Sequence, residues 1–90
     1  MNKTAELVIT LQTIDKIKAF VETASKYDFD IDVISENRHY CVNAKSIMGV
    51  FSVDLSRPVF VSVPRIKYAP DIIPATDDDI TVLFEKITNL

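Results

Sequence analysis

The spacing of apolar residues changes several times along this chain, and each change marks a new element. Leu7, Ile9 and Leu11 alternate with Glu6, Thr10 and Gln12, the period of two of a strand with one buried face, so a strand is predicted over about 5–12. From Ile14 the repeat lengthens. Ile17, Val21 and Ala24 return at helical spacing, Phe20 widens the stripe, and Lys16, Lys18, Glu22 and Lys26 fall on other faces, predicting a helix over about 14–27. Phe29, Ile31 and Val33 then alternate with Asp30 and Asp32, and a second alternating run from His39 to Asn43 follows the polar Ser35-Glu36-Asn37-Arg38, which reads as a hairpin. Ser46 stands before Ile47, Val50 and Phe51, spaced as on one helical face, and predicts a short helix with a serine N-cap, weakened by Gly49.

Past the Arg57-Pro58 break, Val59, Val61 and Val63 alternate with Phe60 and Ser62, giving a fourth strand rich in β-branched residues. Pro64, Pro70 and Pro74 fix φ and disfavour helix in the residues before them, so 64–76 is expected to be an irregular, exposed loop. Thr76 then offers a cap, Asp77-Asp78-Asp79 an acidic first turn, and Ile80, Leu83, Phe84, Ile87 and Leu90 the apolar stripe of a last helix. The order is β-α-β-β-α-β-α without internal repeats. One apolar stripe per helix and one apolar face per strand predict an α+β fold with helices covering one side of a sheet.

Composition narrows the possible functions. Ninety residues, 48% hydrophobic and 26% charged, fit a single domain spanning 1–90. No run approaches the ~18 uncharged apolar residues of a membrane span. The run Met1-Asn2-Lys3-Thr4-Ala5-Glu6 lacks the continuous apolar segment of a signal peptide, so a cytoplasmic location is expected. A net charge of −3 argues against a nucleic-acid footprint, which needs a basic face. One cysteine and one histidine exclude an internal disulfide and a Cys/His zinc site, and one glycine excludes a Gly-rich phosphate loop, so no cofactor is expected. The run Asp77-Asp78-Asp79 answers the helix dipole rather than a metal, because adjacent helical carboxylates point apart. Asp28, Asp30 and Asp32 read as the solvated side of a strand, Cys41 as a half-buried strand residue, and His39 as an ordinary exposed histidine.

Two segments carry a resemblance. Thr23-Ala24-Ser25-Lys26-Tyr27-Asp28, ending the first helix, and Asn43-Ala44-Lys45-Ser46-Ile47-Met48-Gly49-Val50, opening the second, resemble HPr, the histidine-containing phosphocarrier family of the bacterial sugar phosphotransferase system. The resemblance covers about residues 4–63, and the string from Lys45 to Val50 is similar to the Gram-positive type. It implies an open-faced β-sandwich: four antiparallel strands in the order 1-4-2-3 with three helices on one face. The loop 64–76 is longer than the connection usual in that family, and it adds a surface of unassigned role.

At the start of the first helix the chain departs from the family. The family places a phospho-accepting histidine there, followed by an arginine and a proline. Counting back without gaps from Thr23-Ala24-Ser25-Lys26 sets Thr13 in place of the histidine, Asp15 in place of the arginine and Lys16 in place of the proline. Threonine lacks the nucleophilic ring nitrogen of a phosphoramidate carrier, and the Asp15 carboxylate repels phosphate where a helix N-terminus otherwise attracts it. As a helix start, Thr13 reads simply as an N-cap.

The second helix keeps more of the family's pattern. The resemblance sets Ser46 at the position phosphorylated by HPr kinase, and Lys45 beside it would lessen repulsion of a phosphate; a plain serine N-cap explains Ser46 equally well. Ile47, Met48 and Phe51 match an exposed apolar patch gripped by partners. Met48 and Phe51 are expected to be partly exposed and Val50 to be core. The resulting expectation is a phosphotransferase-system protein without catalytic residues of its own. It cannot carry phosphate on histidine, and through Lys45, Ser46, Ile47, Met48 and Phe51 it meets HPr kinase, a transcriptional regulator or phosphotransferase enzymes. The alternative is a true carrier that takes phosphate from enzyme I at an unconventional residue.

Overall fold

The computed structural model describes residues 2–90. The elements follow in the expected order: β1 (Thr4–Ile9), α1 (Ile14–Ala24), β2 (Asp32–Ile34), β3 (Cys41–Asn43), α2 (Ile47–Phe51), β4 (Val59–Pro64) and α3 (Asp77–Thr88). The four strands form one sheet in the order β1-β4-β2-β3. All three pairings are antiparallel, Leu7 facing Val61, Val33 facing Val61 from the other side, and Val33 facing Val42. The fold is the α+β open-faced sandwich, with three helices on one face.

Side chains alternate across a strand, so one face of this sheet carries Leu7, Val61, Val33 and Val42 and the other carries Glu6, Val8, Phe60, Ile34 and Cys41. The first face closes on Ile17, Phe20 and Val21 of α1, Val50 of α2, and Ile80, Leu83 and Ile87 of α3 in one buried core. Burial of these stripes drives the helices onto the sheet, since α2, at five residues, is too short to persist alone.

Several segments are shorter than their apolar patterns. β1 ends at Ile9, although Leu11 is buried beyond it. α1 ends at Ala24, and residues 25–27 only turn, with the Lys26 and Tyr27 N–H groups donating to the Thr23 and Ala24 carbonyls. Phe29 and Ile31 are core residues ahead of the three-residue β2, and His39 and Tyr40 lie in the turn before β3. Ile14, the first residue of α1, and Leu90, two residues past the end of α3, are exposed rather than part of the buried stripes.

Pro64, expected in the loop, instead closes β4 as a buried strand residue opposite Thr4, and the irregular loop after it is partly tied down. Asp30 and Ile73 bond reciprocally: the Asp30 N–H donates to the Ile73 carbonyl at 3.0 Å, and the Ile73 N–H donates to the Asp30 carboxylate at 2.9 Å. The Ala75 N–H donates to the Pro64 carbonyl, and both Pro64 and Ala75 are buried. Asp28 is exposed, but Asp30 and Asp32 are half-buried rather than a solvated strand side. No helix among the described residues is long and apolar enough to cross a membrane.

Candidate functional site

Thr13 starts α1 as its N-cap, with extended backbone and its hydroxyl accepting the Lys16 N–H at 3.1 Å. A hydroxyl in that role satisfies one of the free amides of the helix start. Asp15 in the first turn favours the dipole, and Thr13, Asp15 and Lys16 are all exposed. His39 stands elsewhere, in the turn between β2 and β3, where its N–H donates to the Asn37 side-chain oxygen.

Ser46 caps α2 in the same manner, its hydroxyl accepting the Gly49 N–H at 3.1 Å. That bond leaves the hydroxyl proton of the exposed Ser46 free to point outward. Gly49 lies close to the cap: a Cβ there would stand 3.3 Å from the Ser46 hydroxyl oxygen and in ordinary contact, 3.5 Å, with the Val42 Cβ. Met48 is 76% exposed and Phe51 44%, whereas Ile47 packs against the core and Val50 is fully buried. Five residues of helix thus divide into a core side and a bare apolar side.

Lys45 has a place its sequence position does not reveal. Its ammonium donates to the Tyr27 carbonyl at 2.6 Å, tying the entrance of α2 to the turn that ends α1. The Tyr27 ring lies 5.0 Å from the Phe29 ring and 5.5 Å from the Lys86 ammonium, so α3 shares this junction. Lys45 is thus half-buried and structurally engaged.

A second surface residue missed from the pattern is Ile14, 60% exposed in the first turn of α1. It lines a shallow hollow of about 400 Å³ with Gln12, Leu55 and Ser56, where the start of α1 meets the segment after α2. The first position of an amphipathic helix commonly overhangs its partner, and that is the signal the periodicity hides.

The acidic run at the start of α3 is occupied by local contacts. Asp79 and Thr76 form a capping box, and Asp77 meets Arg65 at 3.3 Å. Cys41 is exposed on the bare face of the sheet, contrary to the half-buried expectation, because no helix covers that side of β3. Partial burial, and then the neighbouring Asp32 carboxylate, push its thiol above the ordinary cysteine value. Burial, followed by the nearby Asp30 charge, pushes Asp32 above the ordinary aspartate value.

Residues 15–63 match the family model described as the PTS HPr component phosphorylation site. The match opens at Asp15, just beyond Thr13. Among solved structures, the chain is similar to HPr-C-His from Thermoanaerobacter tengcongensis, at 28% identity over 94% of this chain and 92% of that one, with a TM-score of 0.61. It is also similar in fold to the phosphocarrier protein HPr from Bacillus anthracis str. Ames, at 18% identity over 94% and 98% of the two chains, again with a TM-score of 0.61. No curated protein sequence matches the chain.

Proposed function

Because the chain belongs to the HPr phosphocarrier family of the phosphotransferase system, we propose that it serves that system as a regulatory, protein-binding module that carries no phosphate on histidine. The observation that carries this reading is the side chain at the start of α1. Thr13 stands where the resemblance sets the phospho-accepting histidine, and its hydroxyl is engaged as the N-cap of the helix. The one histidine, His39, sits in the β2–β3 turn. Ser46 is the proposed phosphorylation site, supported by its exposure, by a hydroxyl that uses only its acceptor side in the cap, and by flanking residues that resemble the family's. A phosphate there would meet the free amides at the start of α2.

Met48 and Phe51 supply the partner surface, and Ile14 is a further exposed apolar side chain at the start of α1. Ile47 and Lys45 contribute less directly, one against the core and the other by holding α2 to Tyr27. The partners are proteins: HPr kinase, a transcriptional regulator or phosphotransferase enzymes, met in the cytoplasm.

Intact mass decides the matter. The protein is incubated with enzyme I and phosphoenolpyruvate, and separately with HPr kinase and ATP, and weighed before and after acid treatment. The expected result is an acid-stable phosphate from the kinase that disappears in Ser46→Ala. An acid-labile phosphate from enzyme I would replace this reading with that of an unconventional carrier, and silence in both reactions would remove the phosphorylation from it.

A further inference from the structure

β1 is an edge strand, with β4 on one side and open space on the other. Its free main-chain groups follow from the register. The Arg65 N–H donates to the Lys3 carbonyl at 2.8 Å, so Lys3 and Arg65 form a hydrogen-bonded pair. Antiparallel pairs alternate between bonded and non-bonded, which places Ala5, Leu7 and Ile9 in bonded pairs with Val63, Val61 and Val59. Thr4, Glu6 and Val8 then direct their N–H and C=O groups away from β4. Pro64, which has no N–H, stands opposite Thr4 in a non-bonded pair, as this register requires. Among the described residues, no turn, loop or cap hydrogen bond reaches the main chain of Thr4, Glu6 or Val8.

The space beside this edge is hollow along its whole length. One hollow of about 740 Å³ is lined by residues 2–6 and Arg65. The next, of about 380 Å³, is lined by residues 7–11 with Lys16, Pro58 and the end of α3 at Ile87 and Leu90. Each includes residues from both faces of the strand, as a trough along an edge must. Val8 is 59% exposed near its middle, Lys3 stands at one end beside an Arg65 already paired with Asp77 at 3.3 Å, and Lys16 stands at the other. Glu6 is already held by Arg38, and no ion pair among the described residues engages Lys3 or Lys16.

We infer that β1 is a docking edge for an extended acidic segment of another protein, which adds a fifth strand to the sheet. Main-chain bonds to Thr4, Glu6 and Val8 supply the pairing, and the apolar middle takes alternate side chains of the incoming strand. Charge selects the occupant. A second copy pairing through its own β1 would run antiparallel and bring Lys3 of one molecule toward Lys16 of the other, whereas an acidic strand meets an unpaired lysine at each end. This surface is separate from Ser46 and α2, so the inference goes beyond the function proposed above.

The test uses the whole protein and a short fluorescein-labelled peptide of alternating glutamate and valine, with the lysine–valine peptide as control. Fluorescence polarisation is expected to show binding of the first only. Amide shifts in ¹⁵N spectra should concentrate at residues 2–11, and Lys3→Glu should weaken binding roughly tenfold. Val8→Pro removes an outward N–H without touching the β4 ladder and should abolish binding; if that variant fails to fold by circular dichroism, Lys3→Glu still decides. Absence of binding, equal binding of both peptides, or a concentration-dependent dimer lost in Val8→Pro would overturn the inference.

Discussion

Arg38 sets its two terminal nitrogens against the two carboxylate oxygens of Glu6, at 3.1 and 3.0 Å, while its guanidinium carbon lies 4.1 Å from the centre of the Phe60 ring. The fork joins the β2–β3 turn to β1 over the bare face of the sheet, spanning β4. Arg38 does so from a left-handed backbone, φ 62°, which a non-glycine residue adopts only with steric cost.

The fork makes part of the stability depend on pH. Hydrogen bonding from Arg38 holds the Glu6 carboxyl below the ordinary glutamate value. A carboxyl so depressed stabilises the fold above its unfolded value and loses that contribution as pH falls through its folded value. Urea unfolding of Glu6→Gln should therefore give a deficit against the parent at neutral pH that closes in acid. Arg38→Asn, which tolerates the left-handed backbone, should show the same deficit.

Asp32 has the opposite sign. Its carboxyl is raised by burial and by Asp30, so its ionised form disfavours the folded state. Asp32→Asn should raise the unfolding midpoint at neutral pH, and the gain should fade as pH falls through the raised value toward the ordinary one. The same variant removes a charge beside Cys41, so iodoacetamide should alkylate the thiol faster at a fixed mildly alkaline pH.

Burial separates the core from the partner surface. Leu83 is fully buried among α3 and sheet residues, and Leu83→Ala should cost about 2–5 kcal/mol in urea unfolding. Met48→Ala, on the bare side of α2, should change stability by no more than about 0.5 kcal/mol. If α2 is the partner surface, the same change should weaken pull-down of HPr kinase.

The Asp30–Ile73 pair should govern the order of the long loop. Asp30→Ala removes the acceptor of the Ile73 N–H and should cost about 1 kcal/mol. Hydrogen exchange at Ile73 should accelerate while exchange at Val61 in the sheet stays slow.

The parts of the fold legible in the sequence are those whose cause is local. Val59, Val61 and Val63 announce β4 by alternation, Thr76 and Asp79 announce the start of α3 as a cap, and Ser46 announces α2. The segment Phe29–Ile31 was harder: its alternation marks burial correctly, but burial there comes from core packing rather than from ladder pairing, so β2 is only three residues long. Cys41 shows another limit, since alternation assigns a face without telling which face is covered. The contacts that hold the surface together, Glu6 to Arg38, Asp30 to Ile73 and Lys45 to Tyr27, join residues far apart in the chain, and no local pattern encodes them. For the candidate site, the N-cap roles of Thr13 and Ser46 and the exposure of Met48 and Phe51 were legible, while the engagement of Lys45 and the overhang of Ile14 were not.

The register of β1 against β4 also has a consequence in time. Thr4 pairs with Pro64 and Ile9 with Val59, so the first of the four strands to be made has its sole sheet neighbour in the last. Closing so long a loop is entropically slow. Until residue 64 has left the exit tunnel, a nascent chain holds at most the β2–β3 hairpin and fluctuating helices. The apolar face of β1 waits for its sheet neighbour until β4 has been made, an interval in which a chaperone would find it.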